Sequence, residues 1–320
     1  MEISYTTPLR RAWQHMQAML LHPFQMERWL VVGFAAFLAN LFRTGSGLIT
    51  WNLNSPSNHA TIPVVEHQVE VVRDHVLALL EKPVVLLAIA IGLVAFGVIV
   101  LVFAWGSARA NVVFLEDVVT GRGEFVQPWN RFGRLGRSLF LWYAAFSFTW
   151  LLPIGVIAVP FAHWIVAVFR GESYPAPSLL AMVLHGAAAG ALALLLALVS
   201  FLTREFVVPL MLMHDETATR AWARFWPLFA GHLGEFIAYS LFVAVVWIGV
   251  GVGLVFAGVA TCCIGLVLMM IPYVGTVLLL PIAVTARAYG PAFLAQYGPG
   301  WDLFASRAPH ASDPAGPLPG

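Results

Sequence analysis

The sequence predicts an all-α polytopic membrane protein with six transmembrane helices in three hairpins, each preceded by an amphipathic helix lying in the cytoplasmic interface. Three observations predict this class. Only 10% of the 320 residues are charged and the mean hydropathy is +0.83, whereas about 25% of an average soluble domain is charged. Six apolar runs are long enough to cross the hydrocarbon layer, which takes about 20 helical residues. Three stretches rich in tryptophan, phenylalanine and arginine stand just before the first, third and fifth runs.

The runs extend from Trp29 to Trp51, Pro83 to Trp105, Ser138 to Val168, Ser178 to Thr203, Glu235 to Ala257 and Ile264 to Ala286. The first is the least apolar, because Asn40, Arg43 and the stretch TGSG fall in its second half. No polar loop separates the last two, so the turn is placed between Gly258 and Cys263. Arginine placement sets the orientation. Thirteen arginines fall on one side of this threading, and Arg43, Arg73, Lys82 and Arg170 on the other. The positive-inside bias therefore predicts an inner-membrane protein with both termini cytoplasmic. Twenty-eight residues precede the first run and no A-x-A site follows it, so no cleavable signal peptide is expected.

The aromatic–arginine stretches predict interfacial helices over 7–22, 127–137 and 217–233. In the first, Thr7 caps the helix, Pro8 sits in its first turn, and Trp13, Met16 and Leu20 form the apolar stripe. Arg11 and His15 lie on its wet side. In the second, Pro128 opens the helix, Trp129 and Phe132 face inward, and Arg131 and Arg134 face out. In the third, Trp222, Phe225, Trp226 and Phe229 follow the i, i+3, i+4, i+7 rule, with Arg220 and Arg224 opposite. Pro227 is expected to kink or restart that helix. Indole and guanidinium groups both find partners at the interface, which makes Trp13, Trp129, Trp222, Trp226, Arg131 and Arg224 the lipid-interface candidates. The inward spans end alike, at SARANVVF, LTREFVVP and TARAYGPAF, so the chain reads as three parallel repeats about the membrane normal.

Beyond the first span, valines at helical spacing opposite an acidic face predict an outer amphipathic helix over 63–82. The segment 1–304 reads as one membrane domain and 305–320 as a disordered tail.

Within the spans, Asn40, Arg43 and His163 are the candidate intramembrane polar site, because polar groups there usually face a bundle interior. Arg43 can instead snorkel outward, and His163 and His185 read more simply as hydrogen-bonded structural histidines. The adjacent Cys262 and Cys263 suit a tight hairpin better than a redox pair. Glu116–Asp117 and His214–Asp215 occupy similar places in two copies and read as groups that hold the following interfacial helix. Net charge of +1 excludes a bulk basic field for nucleic acid. No metal or cofactor motif appears, and no convergent acid, base or nucleophile set can be assembled.

Two stretches, Thr261 to Asp302 and Val207 to Phe236, resemble a group of uncharacterised six-helix bacterial integral-membrane proteins. That group is distantly similar to the membrane domain fused to some glycerophosphoryl diester phosphodiesterases. The resemblance implies an inner-membrane six-helix protein and nothing catalytic, since no soluble phosphodiesterase barrel is present. The sequence therefore predicts a non-enzymatic protein that binds the lipid bilayer or another membrane protein. A small-solute or lipid transporter is the alternative, and would need a polar cavity reached by Asn40, Arg43 or His163.

Overall fold

The computed structural model describes residues 3–22, 24–50, 82–170, 178–261, 265, 268, 269 and 271–307, and every regular element among them is helical. The predicted outer helix over 63–82 falls almost wholly on residues outside the described ones, as do Cys262 and Cys263.

Helix α1 (Thr6–Met16) continues through a π-turn (Gln17–Leu21) and is followed by α2 (Met26–Thr50). Its first turn is held by Ser4 rather than by Thr7, because the Ser4 hydroxyl accepts from the Thr7 amide at 3.2 Å. Helix α3 (Pro83–Thr120) starts with proline at its first helical position and ends on Gly121, whose left-handed φ of 68° suits a residue without Cβ. At 38 residues it is about 57 Å long, nearly twice what a bilayer core takes. Its apolar part up to Trp105 could cross a membrane, and its last four turns or so extend beyond.

Short α4 (Val126–Arg131) breaks at Phe132 before α5 (Gly133–Thr149), which breaks again at Trp150 before α6 (Leu151–Arg170). Pro153 explains the second break, since it cannot donate to the Thr149 carbonyl and its ring crowds it. Helix α7 (Leu179–Leu202), capped by Ser178, runs through a π-turn (Thr203–Val207) into α8 (Val208–His214). Helix α9 (Ala218–Gly231) is separated from α10 (Leu233–Ala260) by His232. Pro227 lies inside α9 without ending it; the break comes five residues later. The chain closes with α11 (Pro272–Leu278), α12 (Leu280–Leu294) and α13 (Leu303–Arg307). Residues 305–307, assigned by the sequence to the tail, thus complete a helical turn.

Among the described residues, four helical stretches contain an apolar part long enough to cross a membrane: Pro83–Thr120, Gly133–Ala158, Leu179–His214 and Leu233–Ala260. Helix α2 and the α11–α12 pair are not among them. The side chains of residues 41–50 in α2 lie outside the described ones, and α11 and α12 are interrupted at Leu279.

The core sits at the arginine-rich end. Val112, Phe114 and Leu115 of α3, Phe206 to Leu212 around α8, and Val284, Ala288 and Phe293 of α12 are all buried there. Phe206, Phe225, Phe236, Tyr239 and Phe293 form one ring cluster drawn from the second π-turn, α9, α10 and α12, with centroids 4.5 to 6.1 Å apart. The N-terminus is pinned to α12 by Tyr289, whose hydroxyl donates to the Tyr5 carbonyl at 3.0 Å. Reciprocal 3.0 Å bonds between Ser4 and Gln296 reinforce it.

Gly290 of α12 lies against the second π-turn, where Pro209 has no amide for the Glu205 carbonyl. A Cβ at position 290 would overlap that carbonyl oxygen and come within 2.9 Å of the Glu205 carboxylate. Gly290→Ala is therefore expected to cost about 1–3 kcal/mol through forced backbone displacement, read as a lower unfolding midpoint in detergent. An unchanged midpoint would mean that α12 does not pack this closely.

Candidate functional site at the arginine-rich end

Three helix–break–helix elbows surround the core, at His22, Phe132 and His232. They treat the predicted interface residues differently. In α1 and the π-turn after it the buried positions are Pro8, Ala12, Met16, Met19 and Leu20, while Trp13 is 46% exposed. Met16 and Leu20 of the expected stripe are thus inside, and Ala12 takes the place expected for Trp13. His15, expected to be wet, is half-buried; its Nε2 lies 2.5 Å from the Val118 carbonyl and its ring packs edge-on against Phe304.

In the second elbow Trp129 is half-buried, stacked on Phe125 at 5.1 Å and edge-on to Trp105. The Arg109 guanidinium lies 4.6 Å over the Trp129 ring and donates to its backbone carbonyl from Nε at 2.7 Å. Arg131 is exposed and rests on the Phe132 ring. In the third elbow Phe225 is fully buried and Trp222 packs on Trp142 at 5.8 Å. Trp226, expected to share that face, is 59% exposed. Arg224 is exposed and bonds Glu216 at 2.6 Å, which holds the Glu216 carboxyl below its ordinary value. Arg134 of α5 pairs with Asp215, whose positive φ of 52° marks the end of α8. Ser138 of α5 supplies the cap of α9, accepting from the Ala218 amide at 3.0 Å.

The three residues singled out within the spans do not form a described cavity. Asn40 donates to Ala36 of its own helix at 2.8 Å, and the side chains of Arg43 and His163 are outside the described residues. The polar contact between α2 and α3 instead uses the neighbouring backbone. The Ala39 carbonyl accepts from Ser107 Oγ at 3.1 Å and from Asn111 Nδ2 at 2.9 Å. His185 bonds the Ala181 carbonyl at 2.7 Å within its own helix.

Two polar features of the core were not singled out as sites by the sequence. The first is Arg287 of α12, 2% exposed, whose guanidinium donates to the Arg204 carbonyl at 2.9 Å and to the Asn111 carbonyl at 3.0 Å. One side chain thereby ties α12 to α3 and to the second π-turn.

The second is a cavity of about 310 Å³ at the end of α3, lined by Glu116, Asp117, Arg122, Glu124, Gln127 and Arg131 among others. It forms because the chain reverses tightly after α3. Gly121 and Gly123 both take positive φ, of 68° and 65°, which brings the Glu124 amide 3.2 Å from Asp117 Oδ1. Asp117 and Glu116 are buried, and among the described residues neither Asp117 Oδ2 nor Glu116 Oε2 has a hydrogen-bond partner. The other Glu116 oxygen faces Arg307 at 3.4 Å, and Arg307 also donates to the Leu212 carbonyl at 2.5 Å. Asp117 lies about 18 Å beyond Trp105, past the apolar part of α3, in the packed end of the helix. Burial pushes its carboxyl up to about 8, the Glu124 amide opposes this, and the Glu116 and Glu124 charges add to the rise. Among the described residues, no group of three or more His, Cys, Asp or Glu is placed to hold a metal.

The chain belongs to a family of unknown function, DUF7544, whose family model matches residues 4–301. No curated protein and no solved structure matches it.

Proposed function

We propose that this member of a family without an assigned activity is a non-enzymatic, multi-pass protein of the inner membrane. Its packed arginine-rich head is cytoplasmic, and its apolar spans hold lipid, or a second membrane protein in place of lipid. One observation carries the reading: within the four apolar stretches, the most hydrophobic windows are only 0%, 6%, 11% and 6% buried, while the ends beyond them are closely packed. Exposed apolar surface on this scale needs a nonaqueous or protein partner. In this reading the chain crosses six times in three hairpins. Support for the repeat comes from the three elbows and from Arg287, which bonds the backbone of Arg204 and Asn111 at comparable places in the other two units.

Trp13 and Trp226 keep their exposed indoles for the headgroup region, whereas Trp129 and Trp222 serve the head's own packing. In a Cys262→Ala, Cys263→Ala background, a bimane label on Trp226→Cys or Trp13→Cys is expected to be quenched by lipids carrying a nitroxide near the headgroup. An impermeant maleimide should reach both sites in inside-out vesicles and not in right-side-out ones. Absence of quenching at both sites, or labelling from the periplasmic side, overturns the placement.

A further inference from the structure

The exposed face of α5 changes character along its length in a way that the head's packing does not require. Arg134, Arg137, Leu141, Ala145 and Phe148 are all exposed. At about 100° per residue they fall within about 80° of arc, so they form one stripe. The other side of the helix, with Leu135 and Leu139, is buried in the core. The stripe is cationic in its first turn and apolar from Leu141 onward. Arg137 and Phe148 lie roughly 16 Å apart along the axis, close to half the thickness of a bilayer's hydrocarbon core. Charge is also unevenly placed. The stretches 121–149 and 214–231 meet where Ser138 caps α9 and Trp142 packs on Trp222. They carry Arg122, Arg131, Arg134, Arg137, Arg220 and Arg224 against Glu124, Asp215 and Glu216. Asp215 holds Arg134 and Glu216 holds Arg224. Arg131, Arg137 and Arg220 are exposed, and among the described residues none of them has an ion-pair partner.

We propose that this stripe of α5 holds an anionic phospholipid, with its phosphate on Arg137 and an acyl chain along Leu141, Ala145 and Phe148. The inference deepens the reading that the apolar spans face lipid, and rests on it. A planar guanidinium matches phosphate oxygens in bidentate fashion, and an exposed arginine without a carboxylate partner has its donors available for them. The headgroup is anionic because a zwitterionic one brings its own ammonium into a patch with three surplus cations. Opposite charges at the edge of a low-dielectric layer also attract more strongly than in bulk water. Nucleic acid or an acidic protein would meet the arginines and leave the apolar part of the stripe uncovered. One lipid molecule meets both parts. Leu141 and Phe148, 59% and 70% exposed, leave room for a chain along the helix.

The test uses the full-length protein in a Cys262→Ala, Cys263→Ala background, with a bimane label on Leu141→Cys, reconstituted in phosphatidylcholine vesicles. Small fractions of phosphatidylglycerol or phosphatidylcholine, each with a nitroxide on the same acyl carbon, then compete for contact with the label. Phosphatidylglycerol is expected to quench at about fivefold lower mole fraction, the equivalent of about 1 kcal/mol for one arginine at an anionic headgroup. Arg137→Gln should bring that ratio close to one. A label on Leu184→Cys of α7, an exposed position on a helix without arginine, should show no preference. Equal quenching by the two lipids at Leu141, the same preference at Leu184, or an unchanged preference in Arg137→Gln overturns the proposal while leaving the spans in lipid. Quenching by neither lipid at Leu141 shows that protein covers the stripe, and overturns the proposal together with the lipid-facing reading of α5.

Discussion

Arg287→Ala should cost the protein about 3–5 kcal/mol of stability, the range for breaking a buried, hydrogen-bonded charge network. The guanidinium is 2% exposed and donates to two backbone carbonyls on two other elements. Each such bond to a charged donor contributes about 1.5–3 kcal/mol. The geometry also predicts what a conservative change does. Arg287→Lys keeps the charge, but one ammonium cannot match a planar fork that spans both carbonyls, so it should recover no more than about half of the loss. Arg131→Gln removes an exposed cation resting on a ring and should stay within about 0.5 kcal/mol of the unsubstituted protein. Thermal unfolding followed by tryptophan fluorescence in detergent reads all three. Equal midpoints for Arg287→Ala and Arg131→Gln would show that Arg287 does not clamp the three elements.

The role of Arg287 also marks where sequence reasoning stops. The arginine at the end of each inward span was visible, and its position was enough to suggest orientation. That one of the three is buried as a clamp depends on how three distant segments meet, which no local pattern carries. Hydropathy has a related blind spot. Val112, Val113, Phe114 and Leu115 are as apolar as the residues of α3 before Trp105, yet they are buried in the head while Leu93, Val94 and Phe96 are exposed. The sequence places the end of the span near Trp105 and cannot say that the helix continues as a core element.

The exclusion of Trp13 from the buried face of α1 has a different origin. A reading weighted toward large side chains favours Trp13 for the inner face, but the small Ala12 allows close approach and occupies it instead. The break at His22 falls directly before Pro23, which biases it to the extended conformation it adopts, while those at Phe132 and His232 are signalled only by the adjacent Gly133 and Gly231. By contrast Pro153, Pro83 and Gly121 act as their chemistry dictates, because proline and glycine constrain the backbone locally. The pair Glu116–Asp117 was legible as a holding group, and Asp117 does bond the Glu124 amide. Its enclosure required the reversal at Gly121 and Gly123 and the arrival of α13, which lies far away in sequence.

That enclosure predicts a pH-dependent stability of definite sign. Asp117 has a folded value of about 8 against an ordinary 3.8. Between these values the folded chain keeps the proton and the unfolded chain releases it, so folding is coupled to proton uptake. The stabilisation is complete below about pH 4, declines as pH rises through the window, and is lost once pH passes about 8. Each pH unit is worth up to about 1.4 kcal/mol, giving a ceiling of roughly 6 kcal/mol across the whole window. The groups facing Asp117 are Glu116, itself turned toward Arg307, and Glu124, Arg122 and Arg131 around the cavity, with His15 against the neighbouring turn of α3. Other groups around the cavity respond to pH as well, so the variant, not the bare pH profile, isolates Asp117. Asp117→Asn has no proton to lose; its unfolding midpoint should therefore fall less between pH 5 and pH 8 and exceed that of the unsubstituted protein at pH 8 by several degrees. Parallel pH profiles for the two proteins would place Asp117 in contact with water and contradict its enclosure by the reversal at Gly121 and Gly123.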